Sequence, residues 1–225
     1  MKSLFLIIAL TATSIISSQI EVSPIEESYI ENTYPEGVYR TYRSFLNKKP
    51  NSSKKVEARD LFKPKQRIND PYIDNCYFNY TRTNKRVKDA FAISYNGSLY
   101  IHVKSLQALM EGKDKKQKID NKDSFIRVVD QGRYLYAEGY FRKRGGIGIG
   151  VGIGVGPISA GSGGPQEQLK GFVFDFDRQI FELFRDCPDF RDWLDEYHPE
   201  LPIDCDGKQL PMEFVREIMF EINGM

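Results

Sequence analysis

The stretch DAFAISYNGSLYIHV constrains the fold more strongly than any other part of the chain. Two apolar runs, rich in aromatic and β-branched residues, flank Asn96 and Gly97. This dipeptide permits the two positive φ angles of a type I′ turn, so the pattern predicts a β-hairpin. The turn also determines which side chains face each other across the two strands: Tyr95 and Ser98, Ile93 and Tyr100, and Phe91 and His102.

Two later segments repeat this organisation. FIRVVDQGRYLYAEGYF is predicted to turn at Asp130–Gly132 between two β-rich runs. GFVFDFDRQIFELF alternates with the strand period of two, which places its phenylalanines on one face. We expect that face to lie in the core, and we expect the alternate face, with Val173, Asp175 and Asp177, to be largely solvated.

The apolar period changes to that of a helix after Leu183. Pro188 is predicted to open one helix, Pro211 to open a second, and Gly224 to follow the end of the second. Antiparallel hairpins followed by two packing helices predict an α+β domain. The apolar stripes are Phe190, Trp193, Leu194 and Tyr197 in the first helix, and Phe214, Val215, Ile218, Met219 and Ile222 in the second.

The N-terminal sequence MKSLFLIIALTATSIISSQ predicts a signal peptide at residues 1–18. Its apolar run has thirteen residues, whereas a bilayer-spanning helix needs about 20. We therefore expect an exported protein, either periplasmic or extracellular. Residues 19–36 predict a flexible arm, and residues 37–225 predict a single domain in which Thr41 caps a short helix that buries Phe45 and Leu46.

Charged residues are unevenly distributed along the chain. The formal net charge is only +1, which argues against a nucleic-acid partner. However, residues 40–67 hold ten basic and two acidic residues, and residues 171–206 hold eleven acidic and three basic ones. Solvated faces or internal complementarity would explain this segregation, and a dipole that docks a protein partner is the alternative.

The three cysteines permit one disulfide. In an oxidising compartment Cys187 and Cys205 could close a loop and leave Cys76 as a buried thiol, although one sequence leaves the connectivity open. Neither histidine lies near a C-x-x-C pair, so no zinc site is expected. His198 is predicted at a helix end and His102 on a strand face, and no motif predicts a cofactor.

The segment PIDCDGKQLPME resembles half of a calcium loop. Asp204, Asp206 and Glu213 fall at the third, fifth and twelfth positions of the EF-hand pattern. Pro202 occupies the first position, where the pattern requires a carboxylate, so a principal ligand is missing. An ordinary Asp-Gly turn between two helices is favoured.

Alternating glycines at 146–156 form the most unusual segment, within a glycine-rich loop at residues 145–165. Their spacing excludes the G-x-G-x-x-G motif, and their number excludes a spanning helix. The run is therefore predicted to connect the strand that ends at Phe141 with the strand that begins at Gly171. Its root could contact an anionic surface through three basic residues: Arg142, Lys143 and Arg144.

Several of these segments together resemble uncharacterised families of exported proteins from Bacteroidetes-type bacteria. The resemblance rests on GVYRTYRSFLNKKP, FAISYNGSLYIHV, FIRVVDQGRYLYAEGYF with its glycine tract, and FVFDFDRQIFELF. It covers most of residues 37–197. The resemblance implies an envelope or secreted location and a single domain, and it transfers no active-site residue.

Three hypotheses about function follow from the sequence. The first is a non-enzymatic exported domain that binds a protein or envelope-surface partner. The second is a hydrolase, and the third is a membrane-active or self-assembling protein that uses the glycine run. The hydrolase would require a deep pocket with two or more of five carboxylates: Asp175, Asp177, Glu182, Asp204 and Asp206.

The incomplete calcium loop generates a first prediction. Because the first ligand position holds Pro202, titration of the protein with calcium in a calorimeter should produce no heat above the dilution background. Binding in the micromolar range would contradict the turn interpretation and assign the ion to Asp204, Asp206 and Glu213.

Overall fold

The computed structural model describes residues 33–52, 54–60, 75–110, 112–119, 121–143 and 167–225. The predicted signal peptide and the glycine-rich loop lie outside these residues. The strands are β1 (Gly37–Tyr39), β2 (Val56–Asp60), β3 (Asn75–Tyr80), β4 (Ala92–Tyr95), β5 (Ser98–His102), β6 (Gln117–Lys118), β7 (Phe125–Gln131), β8 (Tyr134–Lys143), β9 (Glu167–Asp175) and β10 (Ile180–Leu183). The helices are α1 (Tyr42–Leu46), α2 (Val103–Leu109), a 3₁₀ helix (Gly112–Lys116), α3 (Cys187–Tyr197) and α4 (Met212–Gly224).

The strands form one ten-stranded sheet with the order β1-β4-β5-β7-β8-β9-β10. Outside this path, β3 pairs with both β2 and β7, and β6 pairs with β8. The strand pairs are antiparallel, and α3 and α4 follow the last strand. The predicted α+β class with a hairpin-built sheet and two C-terminal helices is confirmed.

The Asn-Gly hairpin has the predicted register. Asn96 and Gly97 adopt φ angles of 49° and 73°, as a type I′ turn requires. Ile93 lies opposite Tyr100, and Tyr95 lies opposite Ser98. The predicted facing of Phe91 and His102 is present as a hydrogen bond in which His102 N donates to Phe91 O at 3.0 Å.

The second hairpin turns later than the sequence pattern predicts. Strand β7 continues through Gln131, so the turn falls at Gly132 and Arg133. Asp130 is buried, and its carboxylate is satisfied by Asn223 at the end of α4, which donates from Nδ2 to Asp130 Oδ2 at 2.7 Å. A Cβ at Gly132 would lie 2.6 Å from the Cβ of Asn223, so the turn needs glycine for close packing against α4.

Strands β8 and β9 are neighbours, and residues 144–166 connect them. Tyr134 lies opposite Asp175 at one end of the ladder, and Arg142 lies opposite Glu167 at the other. The glycine run thus belongs to an inter-strand connection, as predicted. The strands are longer than predicted, because pairing continues beyond Phe141 on β8 and begins before Gly171 on β9.

One face of the sheet packs against helices α1 and α2. Thr41 caps α1 through a capping box, and Phe45 is fully buried as predicted. The core begins earlier than Gly37, because Tyr34 is only 3% exposed and stacks on Phe45 with ring centroids 5.0 Å apart. Tyr34 therefore belongs to the core although it falls within the predicted arm at residues 19–36, of which residues 19–32 lie outside the described ranges.

The prediction of a largely solvated face on β9 is wrong at Val173 and Asp175, whereas Asp177, just beyond the strand, is exposed as predicted. Val173 is fully buried because α3 and α4 cover it, and Asp175 is 6% exposed. The two helices bring their apolar stripes onto Tyr134, Tyr136 and Val173. Alternation of the phenylalanines with Val173 and two aspartates did not reveal this cover, because acidic residues also occur at buried positions when they have partners.

The β2–β3 hairpin covers the neighbouring part of that same side. Phe78 on β3 contacts the rings of Tyr100 and Phe125 in edge-on geometry, with centroids 5.1 Å and 5.3 Å apart.

The described residues contain no helix that is both long enough and apolar enough to cross a membrane.

Burial of Val173 generates a second prediction. Val173→Thr keeps the side-chain shape but places a hydroxyl under α3 and α4, so the free energy of unfolding should fall by about 1–3 kcal/mol. Urea denaturation measures this loss. Gln168→Thr, at an exposed position of the same strand, is the control and should change stability by less than about 0.5 kcal/mol. Equal effects would contradict a buried second face.

Candidate functional site

Two buried carboxylates and two basic side chains meet where the 3₁₀ helix lies against β10 and the start of α3. We call this group the junction network, and its members are Lys113, Asp114, Arg185 and Asp189. One member is positioned by its local sequence. Asp186 caps α3 by accepting a hydrogen bond from Asp189 N at 3.1 Å, which places Asp189 in the first turn of the helix. No local pattern in the sequence indicates this network, because its members come from segments about 70 residues apart.

Asp189 is the most strongly bound carboxylate of the network. Its Oδ2 accepts from both Arg185 N and Arg185 Nε at 3.0 Å, and its Oδ1 accepts from Arg185 Nη2 at 2.6 Å. Lys113 Nζ also donates to Oδ1. Burial alone would raise the pKa of Asp189, but the hydrogen bonds from Arg185 and Lys113 outweigh it and hold the pKa below its usual value.

Asp114 responds in the opposite direction. It is 6% exposed, and its Oδ2 accepts from Leu183 N at 3.1 Å. Its Oδ1 accepts no hydrogen bond from the described residues and lies 3.7 Å from Arg185 Nε. Burial raises the pKa of Asp114, and the neighbouring charge of Asp189 adds to this. Two carboxyls with pKa values displaced in opposite directions can act as an acid and a base, so this is the best candidate for chemistry.

Two clefts beside the junction network limit what it can hold. One has a volume of about 110 Å³ and the other of about 220 Å³, and both are lined by Lys113, Asp114 and Glu182. Both are smaller than the roughly 300–1,000 Å³ of typical small-molecule sites. Glu182 Oε2 accepts from Trp193 Nε1 at 3.0 Å and from Arg178 Nη1 at 2.7 Å.

The five carboxylates of the hydrolase hypothesis do not meet in these clefts. Only Glu182 lines them. Asp175 is buried, and its Oδ1 accepts from the backbone N–H groups of Asp177 and Arg178 at 2.8 Å and 3.0 Å, which holds the β9–β10 turn. The side chains of Asp177, Asp204 and Asp206 are exposed.

The other predicted site residues have varied surroundings. Cys187 and Cys205 form a disulfide with Cα atoms 5.7 Å apart, and Cys76 is a buried free thiol. Gly207 has a φ of +84°, which suits a turn. Within the described ranges, no three His, Cys, Asp or Glu side chains form a group able to hold a metal ion. The side chains of the predicted basic root, Arg142, Lys143 and Arg144, lie outside the described residues.

The helical layer is attached to the sheet by a second buried network. Arg216 on α4 donates from Nε and Nη2 to the two carboxylate oxygens of Glu138 on β8, at 2.6 Å and 2.7 Å. Tyr136 also donates to Glu138 Oε1, at 2.8 Å. His198 lies at the end of α3, as predicted. Its Nε2 is 3.2 Å from Tyr134 Oη, within hydrogen-bond distance. In the sequence, this network is signalled by Glu138 inside the apolar strand β8 and by Arg216 within the apolar stripe of α4.

Exposed carboxylates dominate the outer surface of α3, α4 and their connection. Residues 187–225 contain ten acidic and three basic residues, and of the acids only Asp189 is buried. Among the three basic residues, Arg216 is buried and bound to Glu138, and Arg191 is half-buried. We call the nine exposed acids the acidic face: Asp192, Asp195, Glu196, Glu200, Asp204, Asp206, Glu213, Glu217 and Glu221.

Comparison with known proteins supplies no relative. No protein-family model matches the chain, and neither the curated proteins nor the solved structures contain a match. The site is therefore interpreted from its own geometry.

The junction network generates a third prediction, on pH dependence. Because the hydrogen bonds from Arg185 and Lys113 hold the folded-state pKa of Asp189 below its ordinary value, its contribution to stability is present above about pH 4 and is lost as the pH falls through the folded pKa. At pH 7, Asp189→Asn should lower the free energy of unfolding by about 2 kcal/mol.

Urea denaturation of the wild type and of Asp189→Asn, repeated from pH 7 down to pH 3, measures this difference. We expect it to narrow as the pH falls below about 4. Asp192→Asn is the control, because the Asp192 side chain is 69% exposed; it should change stability by less than about 0.5 kcal/mol. A difference for Asp189→Asn that does not depend on pH would contradict the ion-pair role.

Proposed function

We propose that this chain is an exported, non-enzymatic domain that binds a cationic partner through its acidic face. The exposed carboxylates of α3, α4 and their connection carry this proposal. Nine of them lie among residues 187–225, where Lys208 is the one exposed basic residue; the exposed Arg178, from the β9–β10 turn, lies 5.1 Å from the ring centre of Tyr197 on α3. Such a surface creates a negative potential that attracts cationic groups and increases their rate of association.

Use of the buried carboxylates for attachment supports binding over catalysis. Glu138 holds α4 through Arg216, and Asp130 holds the end of α4 through Asn223. Asp189 holds the 3₁₀ helix through Lys113 and the end of β10 through Arg185. These groups are already bound within the fold, and the two clefts that the described residues form beside Asp114 and Glu182 are smaller than a typical substrate site.

The enzyme alternative has one observation in its favour, the raised pKa of Asp114 beside the two clefts. However, Asp114 is 6% exposed, and one of its oxygens is bound by Leu183 N. The clefts are also small, so this carboxyl has little access to a substrate. We therefore do not propose a reaction.

The exported location is supported by the N-terminal sequence pattern and by the disulfide between Cys187 and Cys205. Disulfides form and persist in oxidising compartments outside the cytosol. Secretion also places the acidic face where it meets other exported or surface proteins.

A fourth prediction tests the acidic face with a fluorescent peptide of alternating lysine and alanine. The acidic-face variant carries Asp195→Lys, Glu217→Lys and Glu221→Lys, at exposed positions outside both buried networks. It should bind the peptide at least about tenfold more weakly in fluorescence anisotropy at low salt, because three attractive charges become repulsive.

The matched control reverses three charges elsewhere on the surface. It carries Lys55→Glu, Arg82→Glu and Lys85→Glu, which are exposed positions on and beside the β2–β3 hairpin. This basic-face variant should bind the peptide at least as well as the wild type. Equal affinity of the wild type and the acidic-face variant would overturn the proposed binding surface. Circular dichroism would establish that both variants are folded.

A further inference from the structure

We infer that the cationic partner of the acidic face is a second copy of this chain, which docks through the basic surface of its β2–β3 hairpin. This inference rests on the proposed function, because it names the occupant of the same face. The two surfaces would form a homodimer that is stabilised by opposite charges and is therefore sensitive to salt.

Basic side chains predominate on the surface of the hairpin, beside the exposed acid Asp89, which accepts from Tyr80 Oη at 2.7 Å. The described side chains of residues 54–59 and 75–88 include seven basic groups and one acidic group, Glu57. Glu57 is neutralised locally, because Arg59 donates to it at 2.5 Å. We call the exposed cations the basic face: Lys54, Lys55, Arg59, Arg82, Lys85 and Arg86.

Aromatic rings hold two of these cations in place. The guanidinium carbon of Arg86 lies 3.6 Å from the ring centre of Tyr77, and Lys54 Nζ lies 5.0 Å from the ring centre of Tyr80. Tyrosine faces attract cations and restrict the motion of their long side chains. The basic face therefore loses less conformational entropy on docking than free surface lysines would.

Ion pairs within one chain leave these two surfaces separate. Near the hairpin, Arg40 pairs with Asp89 at 3.1 Å. On the acidic face, Asp192 pairs with Arg191 at 3.5 Å, and Glu200 contacts His198. Each of these pairs lies within its own region. The formal net charge of the chain is only +1, so a second copy meets little overall repulsion.

Both surfaces lie on the same side of the sheet. Val128 and Ala137 are register partners, and both face the side of the sheet that α1 and α2 cover. Phe125 and Tyr136 stand an odd number of residues from these partners, so they face the opposite side. Phe125 lies under the β2–β3 hairpin, whereas Tyr136 lies under α3 and α4.

This arrangement favours a closed dimer. With the two surfaces on the same side of the sheet, a two-fold axis between two copies would bring the acidic face of each onto the basic face of the other. The contact then occurs twice in one dimer and leaves neither charged face of either copy exposed. A single head-to-tail contact would leave one face of each kind open and would continue into a filament.

Sedimentation velocity on the purified full chain, as the expressing host processes it, tests this inference. At about 0.01 M salt, where charges act over about 30 Å, we expect a concentration-dependent dimer. At about 1 M salt, where the range is about 3 Å, we expect a monomer. The acidic-face and the basic-face variants defined above should each remain monomeric at low salt, because in each one both contacts of the dimer become repulsive.

The decisive sample is an equimolar mixture of the two variants. The reversed faces then become complementary again, so the mixture should form a dimer at low salt although neither variant does so alone. A wild-type monomer at low salt, a mixture that remains monomeric, or open filaments in place of dimers would overturn the inference.

Failure of this inference can be distinguished from failure of the proposed function. If the acidic-face variant loses affinity for the lysine–alanine peptide but the wild type never dimerises, the acidic face binds a cationic partner other than a second copy. If peptide binding does not respond to the acidic-face substitutions, the proposed function itself is wrong, and any dimer must use another surface.

Discussion

The fold depends on one constraint: the central strands carry large apolar side chains on both faces of the sheet. On β9, Phe172 and Phe174 point to one side and Val173 to the other, and all three are fully buried. A strand of this kind is stable only when both sides are covered. Helices α1 and α2 cover one side, and the β2–β3 hairpin together with α3 and α4 covers the other.

Buried charges determine how the C-terminal helices sit on the sheet. The bidentate contact between Arg216 and Glu138 fixes the position of α4 along β8, and Asn223 fixes its end against the β7–β8 turn. A buried ion pair contributes little net stability compared with apolar packing, yet it is costly to break. These contacts consequently define the geometry of the layer that presents the acidic face.

Much of the architecture could be predicted because its signals are local. The Asn96-Gly97 turn, the cap at Thr41 and the apolar stripe of α3 each depend on residues within a few positions of one another. The candidate site could not be predicted in the same way. Asp114 and Leu183 are 69 residues apart and Glu138 and Arg216 are 78 apart, so only folding brings them together.

The class of the fold, the register of the main hairpin and the segregation of charge follow from the sequence, since periodicity, turn chemistry and charge are properties of contiguous residues. Burial of Val173, the place of Tyr34 in the core, and the position of the acidic and basic faces on one side of the sheet become apparent only in the folded chain. These features depend on which elements cover each face, and that choice comes from packing between segments that are distant along the chain.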